Sequence, residues 1–387
     1  MSEYFLTGAT GVVGSAITRE LLSLPDNRVT LLIRAGSDGE LDSRLQTLFR
    51  FWEFDPVLVG NRVTVLRGDI TLPQFGLQPD VFDSLAQRCS HIVHCAALVR
   101  MNLPLEEARK SALGAAANVV DLAQRSQRNG SLKKVEVLST VGVGGNRPGE
   151  LPEHWITEAR TFHNTYEQAK AEAEVRIHHG VMEGLPITVH RPSMVVGDSQ
   201  SGRVIGFQVF YHLVEFLTGK RTFGIFPSLA GTKLDIVPVN YVAAAVVWSS
   251  SRSDTVGRVL HLCSGTNGSI SVRELQHQIR AQWVAAGVKL HPITEVPTRL
   301  FRAALPLIRT FSPHELQRAI QTLPIFLNYL AEKQSFGNAA TSILLEQHGI
   351  ALPPVEAYLQ KILAYYLLTA RKSGGAQANE LPVSRAK

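Results

Sequence analysis

The chain has 387 residues, 45% of them hydrophobic and 19% charged, an ordinary globular composition. No run of about 18 apolar residues appears, so no membrane-spanning helix is expected, and the most apolar run, Tyr241–Trp248, is too short to cross a bilayer. The formal charge of +6 and pI of about 9.3 favour anionic partners, but no dense Lys/Arg run points to nucleic acid. The closest approach to a basic cluster is Arg125, Arg128, Lys133 and Lys134. The N-terminus, MSEYFLTGAT, has no basic segment and does not read as a signal peptide. Three scattered cysteines, Cys89, Cys95 and Cys263, lack metal-ligand spacing and read as buried thiols in a reducing cytosol. A cytoplasmic location and no bound metal are expected.

In chain order, EYFL ending at Phe5–Leu6 predicts a strand, followed by TGATGVVG and the helical pattern SAITRELLSL. Arg28–Arg34, Val63–Leu66 and His91–Cys95 read as further strands, Leu105–Gln124 as a helix and Lys134–Leu138 as a strand. A helix over Tyr166–His179 and strands Ile187–His190 and Val259–Cys263 follow. Continuous apolar strands alternating with helices predict an α/β fold, a doubly wound parallel Rossmann sheet. Gly202–Gly219, Ser271–Ala286, Ser312–Tyr329 and Pro354–Arg371 look helical, and Pro292–Pro306 irregular. These segments predict a smaller, mainly helical C-terminal substrate lobe. The expected division is residues 1–200 plus 234–265 for the dinucleotide-binding part, 201–233 and 266–372 for the lobe, and a disordered tail from 373 to 387.

Thr7, Gly8, Gly11 and Gly14 spell T-G-x-x-G-x-x-G between a strand and a helix. The glycines permit a tight turn, close approach to a pyrophosphate and close helix–sheet packing. The helix N-terminus offers free N–H groups and its positive dipole end to the phosphates. This context, more than the pattern itself, identifies a dinucleotide site. The second strand ends in Arg34, where an acidic residue would bind the ribose 2′-hydroxyl of NAD. An arginine instead suits the 2′-phosphate of NADP. Arg19, one turn beyond the glycines, is a candidate helper. Asp69 stands where a carboxylate could take the adenine amino group, or simply cap a turn.

Tyr166 and Lys170 stand at i and i+4 on one helix face. There the ammonium is expected to lower the phenol pKa and ready it for proton transfer. The strand end Leu138-Ser139-Thr140 offers a hydroxyl for the same carbonyl oxygen. His163 reads as a surface or packing residue, with substrate contact as the alternative, and Met101 and Trp155 as candidates to line a substrate tunnel. His178 and His179 do not read as metal ligands. The stripe Tyr358, Leu359, Ile362, Leu363, Tyr366 and Leu367 reads as core or homodimer packing, with peripheral membrane contact as the alternative.

With these residues in place, the chain resembles an extended short-chain dehydrogenase/reductase. More narrowly, it is similar to the thioester-reductase and fatty-acyl-reductase branch, whose NAD-binding domain is of the "male sterility" type. The resemblance rests on TGATGVVG at 7–14, LLIRA at 31–35, GDI at 68–70, HCAALV at 94–99 and LSTVGVGG at 138–145. YEQAKAEAE at 166–174, HRPSMVVGDSQSG at 190–202 and LDIVPVNYVAAAV at 234–246 extend it. It implies Thr140, Tyr166 and Lys170 as the catalytic set. It implies Thr7, Gly8, Thr10, Gly11, Val12, Val13 and Gly14 as the pyrophosphate loop and Arg34 as the 2′-phosphate reader. Asp69 and Ile70 would contact adenine, Ala96 and Ala97 the ribose, and Pro192, Ser193 and Met194 the nicotinamide. One departure stands out: Ser111 occupies the place of the asparagine in the family's Asn-Val-x-Gly-Thr helix. The implied activity is NADPH-dependent reduction of an acyl thioester, carried on acyl carrier protein or CoA, to aldehyde or alcohol. Two alternatives stay open: reduction or oxidation of a sterol or other lipid-like 3-hydroxy/3-keto group, and a non-catalytic NADP-binding scaffold. A nucleotide-sugar epimerase is disfavoured by Arg34.

Overall fold

The computed structural model describes residues 1–98, 103–220, 222–228, 231–301, 303 and 334–372. Its centre is a seven-stranded parallel sheet: β1 (Ser2–Thr7), β2 (Asn27–Ile33), β3 (Val63–Arg67), β4 (His91–His94), β5 (Lys134–Leu138), β6 (Ile187–Pro192) and β7 (Val259–Leu262). The order is β7-β6-β5-β4-β1-β2-β3. The winding runs outward from β1 to β3, then returns to lay β4 on β1's other side. The crevice above β1 and β4 is therefore the topological switch point, where doubly wound sheets bind ligands. β4, β5 and β6 are buried along their whole length, as strands covered on both faces must be.

Helices α1 (Val12–Ser23), α2 (Asp38–Trp52), α3 (Pro79–Arg88), α4 (Leu105–Arg128), α5 (Thr165–Met182), α6 (Val209–Leu217), α7 (Val239–Ser250), α8 (Val272–Ala285), α9 (Ala339–Glu346) and α10 (Val355–Lys372) surround it. One core unites α1 and α7 with the C-terminal helices α6, α8 and α10. The other lies under α3, α4 and α5 on the opposite face. Each face of the sheet thus has its own apolar layer, the usual condition for a three-layer α/β fold.

Helix starts follow local chemistry. Asn164 Oδ1 accepts the Glu167 amide at 3.0 Å, and Ser271 Oγ accepts the Glu274 amide at 3.1 Å. Ser37 Oγ accepts from Glu40 N at 3.2 Å while Glu40 Oε2 accepts from Gly36 N at 2.7 Å, a reciprocal cap that starts α2. The expected helix over Gly202–Gly219 begins only at Val209. Gly202 has φ +73°, and a Cβ there would lie 2.3 Å from Lys361 O, so the segment is an irregular loop pressed on α10. Within Pro292–Pro306 the residues Thr294–Val296 form a short strand on Ile225–Pro227. The helix expected over Ser312–Tyr329 and the tail from 373 fall outside the described residues.

The structure separates interior from surface at the apolar stripe and in the basic cluster. Tyr358, Leu359, Ile362 and Leu363 of α10 are fully buried and Tyr366 nearly so. That stripe is internal core, not a membrane or dimer face. Lys134, counted in the basic cluster, is also buried, and donates to Arg252 O at 2.7 Å and Thr255 Oγ1 at 2.6 Å. Arg125 is paired with Asp121 and Asp83. Cys89 and Cys263 are buried, whereas Cys95 is half-buried. No helix among the described residues is long and apolar enough to cross a membrane.

Candidate active site

The glycine turn bridges β1 and α1. Gly8 has φ +80°, and a Cβ on it would lie 2.7 Å from Ala96 N; one on Gly14 would lie 2.1 Å from Gly8 O. Only glycine permits this approach of turn, β4 exit and α1. Gly11 N donates to Gly8 O at 2.9 Å and closes the turn. Gly11 is also the N-cap of α1 and no side chain caps that helix end. The first-turn amides are thus left for an incoming anion. Val12 is buried and Val13 packs against the core behind the turn, while Thr10 lies at its rim. Thr7 Oγ1 lies 2.8 Å from His94 Nδ1 and accepts from Ala96 N at 3.4 Å, pinning β1 to β4 at the switch point. Burial pushes the His94 imidazole down to about 3, and Lys170 adds to the effect, so it is neutral. The cradle fits the pyrophosphate of a dinucleotide.

Arg34 and Asp69 leave the ends of β2 and β3 and lie 4.0 Å apart, both partly exposed. Asp69 Oδ1 accepts from Thr71 N and Thr71 Oγ1, each at 2.8 Å, so its turn-capping role is also realised. Arg19 is engaged elsewhere, 3.7 Å from Asp198 and 4.9 Å above the Trp52 ring. Asn118 of α4 was not legible as a site residue. Its Nδ2 donates to Ile70 O at 3.0 Å and Leu72 O at 2.7 Å, and its Oδ1 accepts from Gln74 N at 3.0 Å. One buried amide thereby fixes the loop carrying Asp69 and Ile70. The available signal was a polar residue amid the apolar positions of an amphipathic helix. Across the crevice, Ser193 N donates to Leu262 O at 3.0 Å and Met194 N to Asp235 O at 3.3 Å. Met194–Val196 then pairs with Ile236–Pro238. The Pro192–Met194 segment is therefore clamped between β7 and a second short strand. Asp235, also missed, accepts from Ser264 N and Gly265 N at 2.8 and 2.9 Å and fixes the exit of β7.

Tyr166, Lys170, Ser111, Ser139 and Glu174 line one cavity of about 30 Å³ between α4 and α5, with Ala96 and Ala97 on its wall, enough room for a water molecule. Ser111, in the place of the family asparagine, is buried in this wall. Lys170 Nζ donates to Leu138 O at 2.7 Å. Thr140 follows two residues on, its Oγ1 accepting from Gly142 N at 3.1 Å. Burial pushes the Lys170 ammonium down to about 8, opposed by Glu174. The Tyr166 phenol moves opposite to the sequence-based expectation: burial, aided by Glu167, pushes it up to about 12. Desolvating a phenolate outweighs any help from the lysine. The phenol is thus protonated at neutral pH, the state a proton donor requires.

His163 Nδ1 bonds Glu167 Oε2 at 2.9 Å and its side chain is buried, a packing role. Trp155 stacks on His178 at 4.3 Å and donates to Gly257 O, just before β7. That is the sheet's β7 edge, and the contacts are packing ones. Met101 lies outside the described residues.

The male sterility protein family model matches residues 6–246, more than half of the chain. The chain belongs to this family. It is an NAD(P)-binding oxidoreductase of the extended short-chain dehydrogenase/reductase type. The family's relatives include the aldehyde reductase lnaA of Aspergillus flavus, 31% identical over 67% of this chain and 25% of that protein. The L-2-aminoadipate reductase of Schizosaccharomyces pombe is 26% identical over 67% of this chain and 19% of that protein. The glycine betaine reductase ATRR of Emericella nidulans is 26% identical over 66% of this chain and 20% of that protein. The chain therefore matches a quarter or less of the length of each. Among solved structures, the terminal R domain from the myxalamid PKS-NRPS biosynthetic pathway superposes with TM-score 0.80 at 25% identity, covering 98% of this chain and 93% of that one. A thiolation-reductase di-domain from an archaeal non-ribosomal peptide synthetase shares the fold, with TM-score 0.74 at 21% identity over 96% of this chain and 76% of that one.

Proposed function

We propose that this chain reduces an acyl thioester with NADPH, releasing an aldehyde or alcohol, and that the acyl group arrives on a phosphopantetheine arm of acyl carrier protein or CoA. The observation that carries the reading is that Tyr166 and Lys170 share one cavity, Lys170 holds the Leu138 carbonyl two residues before Thr140, and Ala96 on the cavity wall abuts the Gly8 turn. Likeness over nearly the whole chain to the terminal R domain from the myxalamid PKS-NRPS biosynthetic pathway, and in fold to a thiolation-reductase di-domain, supports a carrier-bound substrate. The net charge of +6 suits an acidic carrier.

NADPH, when bound, supplies the hydride for the carbonyl carbon. Gly8, Gly11, Gly14 and the free end of α1 would hold its pyrophosphate, with Thr7, Thr10, Val12 and Val13 shaping the turn. Arg34 would hold the 2′-phosphate, and Asp69 and Ile70 the adenine. Ala96 and Ala97 would face the ribose, and Pro192, Ser193 and Met194 the nicotinamide. Thr140 Oγ1 and the Tyr166 hydroxyl would donate hydrogen bonds to the carbonyl oxygen as negative charge develops there. Loss of the thiol from the resulting adduct, by cleavage of the C–S bond and protonation of the leaving sulfur, would give the aldehyde. Tyr166 would then donate a proton as a second NADPH hydride gives the alcohol. Lys170 sets the electrostatics around the phenol and orders the strand end.

Purified protein mixed with an acyl-CoA series and acyl carrier protein thioesters, with NADPH against NADH and products identified by mass, tests this reading. Aldehyde or alcohol formed with NADPH supports it. Turnover of ketones alone, or no oxidation of either cofactor, overturns it.

A further inference from the structure

Glu174 is a buried carboxylate that the proposed chemistry does not use. It lies one turn beyond Lys170 on α5, on the same face as Tyr166 and Lys170, and lines their cavity. Its Oε2 accepts from Ser139 Oγ at 2.6 Å. Arg191 of β6, wholly buried, donates to it through Nε at 3.1 Å and again through its terminal nitrogen. Arg191 is itself held by His154 O at 3.0 Å and by His261 Nε2 at 3.3 Å, with His261 Nδ1 bonded to Gly337 O at 2.7 Å.

Two consecutive residues at the end of β5 are thus gripped by one helix face. Lys170 holds the Leu138 carbonyl and Glu174 holds the Ser139 hydroxyl. The next residue is Thr140. We infer that Glu174, locked by Arg191, is a positioning residue that fixes the strand end presenting Thr140 and keeps Lys170 and Tyr166 in register with it. This role rests on the reductase reading above. An ion pair serving stability alone would need neither the short bond to Ser139 nor a place on the cavity wall.

The titratable and charged groups around Glu174 are Arg191 on β6, His261 on β7, Arg160 in the loop before α5, His94 on β4 and Lys170 on its own helix. Glu174→Gln removes the carboxylate that favours the charged lysine, so Lys170 should lose its proton at lower pH. Ser139→Ala removes only the hydroxyl grip and leaves the Glu174–Arg191 pair whole, so it remains informative if Glu174→Gln fails to fold.

The experiment measures kcat and KM, fluorescence-detected NADPH binding, and the titration of Lys170 by NMR of lysine-labelled protein, for the parent and both variants. Ser139→Ala should lower kcat about ten- to a hundredfold with KM and NADPH affinity unchanged. Glu174→Gln should shift the Lys170 midpoint and the alkaline limb of kcat to lower pH. Parent-like kcat in Ser139→Ala, or an unmoved lysine midpoint in Glu174→Gln, overturns the inference. An inactive parent overturns the reductase reading instead, and the lysine titration still decides whether Glu174 acts on Lys170.

Discussion

The sheet carries two buried charge clusters on its neighbouring strands β5 and β6, one toward each face. On the α7 side, Glu136 accepts from Ser249 Oγ at 3.1 Å and meets His190 Nε2 at 2.6 Å, with Lys134 at 3.9 Å. Thr255 closes the group against Lys134. On the α5 side, Glu174, Arg191 and Ser139 stand beside Lys170. Both are fully desolvated and both use strand residues that break the apolar pattern. They differ in what they border. The Glu136 cluster is enclosed by the α7 end and the turn before β7, whereas the Glu174 cluster opens on a cavity shared with Tyr166. Buried charge by itself therefore marks expense, not function. The cavity and its neighbours Tyr166 and Lys170 separate the cluster proposed to act on the site from the enclosed one.

Variants can break or sharpen this contrast. Tyr166→Phe should leave folding intact and lower kcat by about 10²–10⁴, the usual worth of a positioned acid; circular dichroism with steady-state kinetics checks it. Glu136→Ala should cost about 3–5 kcal/mol of unfolding free energy, because Lys134 and His190 lose their buried partner. Chemical denaturation reads that loss, and parent-like KM and kcat in the surviving folded fraction would place the cluster outside catalysis. A fall in kcat equal to that of Tyr166→Phe would dissolve the contrast. Arg34→Ala should weaken NADPH binding by about 1.5–3 kcal/mol, the worth of a charged hydrogen bond, and leave NADH binding unchanged. Fluorescence titration with both cofactors measures the ratio. The smallest effect concerns pH. Lys170 is charged below about 8 and neutral above it, so turnover that needs the ammonium should fall as pH rises through that value. Glu136 variants should leave this limb in place.

The parallel sheet was legible because its strands are apolar almost end to end, as in Val29–Ile33 and Ile92–Val93. The glycine turn and the Tyr166–Lys170 pair were legible because their spacing is local. Helix α2 escaped notice because Leu48 is its only fully buried residue, leaving no clear stripe. Its signal lay in the Ser37–Glu40 cap. Residues 202–208 read as helix because nothing local reveals the backbone of Lys361 pressing on Gly202. Arg191, Glu174 and Ser139 come from β6, α5 and the end of β5. Their meeting depends on tertiary packing, which periodicity does not encode. The phenol's upward shift was missed for the same reason, since burial is set by the whole site and not by the i, i+4 spacing.

Tyr358 in α10 donates its hydroxyl to Ile236 O at 3.0 Å. Ile236 begins the short strand that pairs with Met194–Val196, next to the Pro192–Met194 segment proposed to face the nicotinamide. Besides the shared apolar core, α10 is thereby joined to the cofactor half by a direct bond to that strand. On the proposed reading, exchanging the C-terminal portion alone between relatives should therefore disturb hydride transfer as well. A transplant that moves residues 194–196, 234–238 and 355–367 together keeps the Tyr358–Ile236 bond and its strand pairing in place.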